Sequence, residues 1–214
     1  MRITKIENQK RHPGRKNIYA DGVFVAGVST ETLVRLALRT GDEIGPDQLA
    51  VLQKTEELHG ARNAALRFLS TRPRTEREVR NKLREKEFGD EEIERTLNGL
   101  RQSGLLDDDA FARMFIRDAL TLRPSGRLLL QRKLALLGVP KPVAEKAIDD
   151  AFRDTDQTET ARDLAKQFVA KARAVRRDEP AERLRRRLAA YLGRRGFPWD
   201  VIQPIIQHVT EIDE

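Results

Sequence analysis

The chain has 214 residues, enough for one compact domain or a string of small ones. Apolar residues make up 39% and charged residues 35%, too many charges for one thick core but a normal balance for thin helical layers with wet outer faces. There is no cysteine, which excludes disulfides and thiolate zinc sites, and the net charge of +7 points to an anionic partner.

Residues 3–6 read as a short strand, and residues 17–28 as a hairpin, because Asp21-Gly22 favours a tight turn where glycine takes a positive φ at no steric cost. Ile18 and Ala20 alternate on one arm of it, Val23 and Val25 on the other. Two helices follow. The first, within residues 29–38, has Ser29 as its N-cap and Leu33, Leu36 and Ala37 at helical spacing, with Gly41 beyond its end. The second, residues 46–58, starts at Pro46, where a missing N–H costs nothing.

Beyond Gly60 the pattern is helical throughout, in groups of three. The first group has a helix over 61–70 and a second opened by Thr75, which forms a capping box with Glu78. That helix carries Val79 and Leu83 inward and ends at Gly89; Asp90 caps the third, with Ile93, Leu97 and Leu100 inward. The second group covers 108–121, 126–137 and 140–152, and the third 156–175, 180–194 and 198–212. The corner around Asp178 is expected to be exposed. The fold class is therefore mainly α: tandem three-helix repeats behind a small N-terminal β-hairpin with its helices. The divisions fall at 1–58, 59–107, 108–154 and 155–214.

The groups are copies of one template. Val79, Leu83, Phe88 and Leu97 recur 51 positions later as Leu130, Leu134, Val139 and Ile148, and a further 58 positions on as Leu188, Leu192, Phe197 and Ile206. Fixed apolar anchors among changing polar residues mark stacked units, each completing its neighbour's core.

Here the residues carry a family likeness. RTEREVRNKL at 74–83, EEIERTLNGL at 91–100, GLLDDDAFA at 104–112 and YLGRRGFPWDVI at 191–202 resemble the RecX family of RecA regulators. ITKIE and NIYADGVFVAGVS resemble the N-terminal extension of its longer members. The resemblance implies an elongated, curved stack of repeats that binds the RecA nucleoprotein filament. It also implies restraint of RecA's ATPase, strand exchange and co-protease activities, and so of recombination and the SOS response. It brings no catalytic residues and no cofactor.

The chemistry read from the residues agrees with a non-enzymatic role. Neither a phosphate-binding glycine loop nor a dinucleotide fingerprint is present. His12, His59 and His208 lie in unlike segments, and the Asp107-Asp108-Asp109 cluster reads as helix capping with a favourable dipole rather than as a metal site. The basic residues are more informative. Residues 161–197 hold 12 Lys+Arg against 4 Asp+Glu. Leu184, Leu188, Tyr191 and Leu192 form one stripe of a helix, and Arg183, Arg187 and Arg194 another, with Arg186 and Arg195 beside them. Arg77, Arg80 and Arg84 line up likewise in the first repeat; Arg127, Arg132 and Lys133 are the candidates in the second. Guanidinium groups suit phosphate or carboxylate equally well. A solvated, solubilising face is the alternative.

Leu128, Leu129, Leu130, Leu134, Leu136 and Leu137 fall on more than one face of their helix, favouring burial on both sides over a contact surface. Trp199 is expected in the core. With so few aromatic residues, base stacking is not the basis of binding.

The N-terminus lacks an apolar leader, and no run approaches the ~18 residues of a membrane span, so a soluble, cytoplasmic monomer without a membrane partner is expected. Two functional readings stand: a regulator of the RecA filament that also binds DNA non-specifically, and a stand-alone DNA-binding regulator using the same helices. An enzyme built from scattered carboxylates is the third.

Overall fold

A computed structural model describes residues 1–153, 156–175 and 179–208. The chain forms two compact units, Met1–Pro73 with Val79–Leu106, and Arg74–Glu78 with Asp107–Glu214.

The first unit opens with an antiparallel sheet in the order β1 (Ile3–Asn8), β2 (Arg15–Ala20), β3 (Val23–Ser29). Asp21 and Gly22 both take positive φ, 50° and 82°, the paired left-handed turn that the sequence predicts. Ile18 and Ala20 are buried as expected. On β3 a bulge opposite Ile18 and Tyr19 breaks the alternation, so Val28 enters the core while Val23 stays exposed.

Ser29 caps α1 (Thr30–Arg35), accepting from the Thr32 amide. This helix ends earlier than its apolar spacing suggests. Ala37 takes φ 52°, and the Leu38 amide returns to the Leu33 carbonyl, which keeps both leucines on the sheet core. Glu56 then ties the unit together, accepting from Arg15 Nη1, the Ser29 amide and Thr32 Oγ1, each at 2.8 Å.

The sequence predicts two helices between Pro46 and Ser70; the structure forms one, α2 (Pro46–Leu69). Gly60 lies inside it rather than breaking it. A Cβ there would meet the Phe88 ring at 3.4 Å, so the glycine is a notch for that ring. Helix α3 (Glu76–Glu85) opens with the predicted reciprocal bonds between Thr75 and Glu78, at 3.1 and 3.2 Å. Helix α4 (Asp90–Gln102) is capped from Gly89 rather than Asp90, which sits in the first turn and pairs with Arg84. Val79, Leu83, Ile93, Leu97 and Leu100 pack with Ala61, Ala64 and Ala65 of α2.

In the second unit, α5 (Asp108–Leu122), α6 (Arg127–Leu137) and α7 (Lys141–Ala151) enclose Leu130, Leu134, Val139 and Ile148. Helices α8 (Gln157–Val175), α9 (Ala181–Arg194) and α10 (Trp199–Gln207) enclose Leu188, Leu192 and Phe197. The predicted continuation to residue 212, and the corner around Asp178, lie outside the described residues.

All the repeated anchors are in these cores, and local geometry explains their spacing. At the end of α3, α6 and α9 the amide of Phe88, Val139 or Phe197 bonds the carbonyl of Leu83, Leu134 or Leu192, five residues back. The residue before each takes a left-handed φ: 62° at Glu87, 91° at Gly138, 81° at Gly196. This is the helix-terminating motif in which the first apolar residue past the turn folds back onto the last turn. The repeat template is thus a helix stop that also fills a core.

Two of these stops are also joints within the second unit. The amides of Gly126 and Leu128, unsatisfied at the start of α6, donate to the carbonyls of Arg195 and Gly196 past the end of α9, at 2.8 and 3.1 Å. Arg195 Nη1 adds a bond to the Pro124 carbonyl at 3.1 Å. At the end of α6, the buried Thr75 hydroxyl donates to the Leu137 carbonyl at 2.6 Å, and Arg77 Nη2 donates to the carbonyls of Ala135, at 3.0 Å, and Leu136. Asp108 accepts from the Glu76 amide at 2.9 Å. Helix starts and helix ends thereby satisfy each other's orphan groups, with opposite ends of their dipoles facing.

Candidate interaction surface

The aspartate cluster resolves into three separate structural roles. Asp107 caps α5 by accepting from the amides of Asp109 and Ala110, both at 2.9 Å. Asp108 holds the start of α3, and Asp109 pairs with Arg113 one turn on. Burial, with Glu76, Asp107 and Glu78 nearby, raises the Asp108 carboxyl above the usual range, although the Glu76 amide opposes this. Among the described residues no group of three His, Asp or Glu side chains could hold a metal. His59 lies 3.2 Å from Glu31 and bonds Asn63, and it lines one open cleft with His12, while His208 bonds the Pro204 carbonyl.

The predicted arginine rows divide into cations already engaged and cations facing water. In the first repeat Arg77 is occupied with the carbonyls of α6. Arg80 pairs with Glu94, whose carboxyl its hydrogen bond holds below the usual range, and Arg84 pairs with Asp90 at 3.1 Å. In the second, Arg127 pairs with Asp149 and lies over the Phe152 ring. Arg132 and Lys133 are exposed, with no carboxylate partner among the described residues.

In the third repeat a buried carboxylate organises the row. Glu179, its side chain only 4% exposed, is held by Arg187 and lies 3.5 Å from Arg183 Nε. Arg187 also covers the Phe168 ring, which stacks on Tyr191 at 4.9 Å, and Arg195 covers Tyr191 from its own position at the joint. Arg186 pairs with Glu182 at 3.2 Å. Arg194 is exposed and has no such partner among the described residues. The stacked Phe168 and Tyr191 rings are therefore covered by the repeat's own guanidinium groups.

Two expectations for apolar residues need correction. Trp199 is 59% exposed. It stands in the first turn of α10, where Phe197, two residues earlier, already supplies the core anchor. The leucines of α6 are not buried on both sides. Leu130 and Leu134 are in the core, but Leu128 and Leu136 are 51% and 74% exposed, because no element covers that side of the helix among the described residues. The leucine richness of the sequence was the signal for this outer face. No described helix is long and apolar enough to cross a membrane.

Comparison with known proteins matches nearly the whole chain. Family models match in order: the regulatory protein RecX N-terminal domain over residues 1–45, and the first, second and third RecX three-helix domains over 61–100, 107–148 and 154–206. A regulatory protein RecX of Clostridium beijerinckii is 27% identical, covering 99% of this chain and 97% of that one. One from Lactobacillus delbrueckii subsp. bulgaricus is 30% identical, covering 99% of this chain and 76% of its own length. A crystal structure of a regulatory protein RecX superposes with a TM-score of 0.76 at 30% identity, covering 96% of this chain and 98% of that chain. The N-terminal domain and the three repeats match in order, and the chain belongs to the RecX family.

Proposed function

We propose that this protein regulates RecA by binding the RecA–DNA filament and restraining its ATPase, strand exchange and co-protease activities, and thereby modulates recombination and the SOS response. The observation that carries the reading is the family match over the N-terminal domain and all three repeats. The geometry supports it. Exposed cations on α6 and α9 face water while their neighbours are neutralised internally, and hydrogen bonds join the start of α6 to the end of α9 within the second unit. A molecule with several repeats gains avidity from several weak contacts along a polymer. It acts by blocking access or resisting movement between filament subunits, and the reading assigns it no catalytic chemistry.

The test is titration of the purified protein into RecA's DNA-dependent ATPase. Inhibition near stoichiometric ratios is expected; an unchanged rate overturns the reading. The concentration of positive charge in residues 161–197 favours a second reading, a stand-alone DNA-binding regulator. Tight, sequence-dependent and steeply salt-sensitive DNA binding without RecA would select it.

A further inference from the structure

We propose that the outer face of α6 docks an acidic, leucine-accepting segment of a protein partner rather than a nucleic acid backbone. At 100° per residue, Leu128, Arg132 and Leu136 lie within one narrow arc and Lys133 borders it, opposite the buried Leu130 and Leu134. The two exposed leucines stand about 12 Å apart along the axis, and between them lie Arg132 and Lys133, which have no carboxylate partner among the described residues.

The scaffold does not require these leucines. In the repeat register the positions of Leu128, Arg132 and Leu136 are Arg77, Asn81 and Glu85 in α3 and Arg186, Ala190 and Arg194 in α9. All six are exposed, and none is a large apolar residue. The same solvent-facing template thus carries leucine only in the middle copy. Single exposed apolar residues are ordinary; two on one arc, with Arg132 between them and Lys133 at its border, form a mixed apolar and basic surface.

That combination decides the class of partner. Phosphates would use Arg132 and Lys133 but leave both leucines in water. A second copy of this chain meeting the same face would bring Arg132 and Lys133 against their own images. A protein segment with carboxylates beside an apolar groove satisfies all four side chains. The face is also preorganised: Arg77 and Thr75 hold the carbonyls at the end of α6, so docking orders little backbone.

This rests on the reading of the protein as a RecA-filament binder, and the experiment separates the two. The full-length chain and Leu128→Ser/Leu136→Ser and Arg132→Glu/Lys133→Glu variants are titrated against RecA filament preformed on single-stranded DNA with a non-hydrolysable nucleotide. The same DNA alone is the comparison. Both leucines are exposed, so the serine variant should keep the parent's helicity and melting temperature. It is expected to bind filament at least about ten-fold more weakly, the loss from two leucines left wet, and bare DNA within about two-fold of the parent. The glutamate variant is expected to lose filament binding at least as strongly. Undiminished filament binding by the serine variant, with the parent bound, overturns the proposal alone. An equal loss on bare DNA overturns it in favour of nucleic acid, and a parent dimer that the serine variant dissociates overturns it in favour of self-association. A parent that does not bind filament overturns both this proposal and the reading beneath it.

Discussion

Gly196 and Leu129 approach so closely that a Cβ on the glycine would overlap the Leu129 backbone nitrogen and stand 2.8 Å from its Cα. Gly196→Ala therefore adds a left-handed φ penalty to a forced separation of two backbones. The expected loss is about 2–4 kcal/mol, read as a lower urea midpoint. Glu87 occupies the equivalent turn at φ 62° and is exposed, so Glu87→Gly should leave stability unchanged or raise it by up to about 1 kcal/mol.

Thr75 performs two tasks with one hydroxyl, accepting from the Glu78 amide and donating to the Leu137 carbonyl. Thr75→Val keeps the shape and removes both bonds. A loss of about 1–2 kcal/mol is expected, with Thr75→Ser recovering most of it in the same denaturation experiment.

Asp108 gives a pH-dependent prediction. Its folded-state carboxyl is raised above the unfolded value, so ionisation opposes folding at neutral pH, and this cost disappears as pH falls below the ordinary aspartate range. Asp108→Asn keeps an oxygen for the Glu76 amide and removes the charge. The variant should melt above the parent at pH 7, and the gap should close on acidification through that range. Asp108→Ala lacks the acceptor and should melt below the parent at every pH.

Arg187 and Arg194 lie on one helix face but should fail differently. Arg187→Glu sets a carboxylate against the buried Glu179 and is expected to lower stability by about 1–2 kcal/mol, allowing for its partial exposure. Arg194→Glu breaks no ion pair among the described residues and should cost less than about 1 kcal/mol, the effect of a reversed charge at the end of α9. Under the proposed function it weakens RecA ATPase inhibition by about 3- to 10-fold. Full inhibition by Arg194→Glu would remove that residue from the binding surface.

Periodicity carries the architecture of this chain well because the repeated anchors are local geometry. Leu83 with Phe88 and their two counterpart pairs are each a helix stop, and a five-residue apolar spacing is visible without coordinates. Glycine misleads where it serves packing rather than torsion. Gly60 suggests a break between two helices but is a notch for Phe88 in one continuous helix. Side-chain destinations were less legible. A row of arginines looks uniform in sequence, yet Arg77 ends on carbonyls, Arg187 on a buried carboxylate, and Arg194 in water. Those outcomes depend on acidic and carbonyl partners that helical spacing does not reveal. Trp199 was misplaced for a related reason: a proline-led helix start suggests an anchor, and Phe197 had already taken that place.

The left-handed stops at the ends of α3, α6 and α9 also set a rule for lengthening the molecule. Glu87 shows that an ordinary side chain tolerates the torsion, so glycine at 138 and 196 is kept for what seats against it. A designer wishing to splice another unit ahead of the first repeat would have to change Glu87 to glycine and supply a threonine- or glycine-led helix start to meet it. The residue at this one turn therefore records which stop receives a neighbour, and makes the array directional: additions are keyed at one end by a single missing carbon atom.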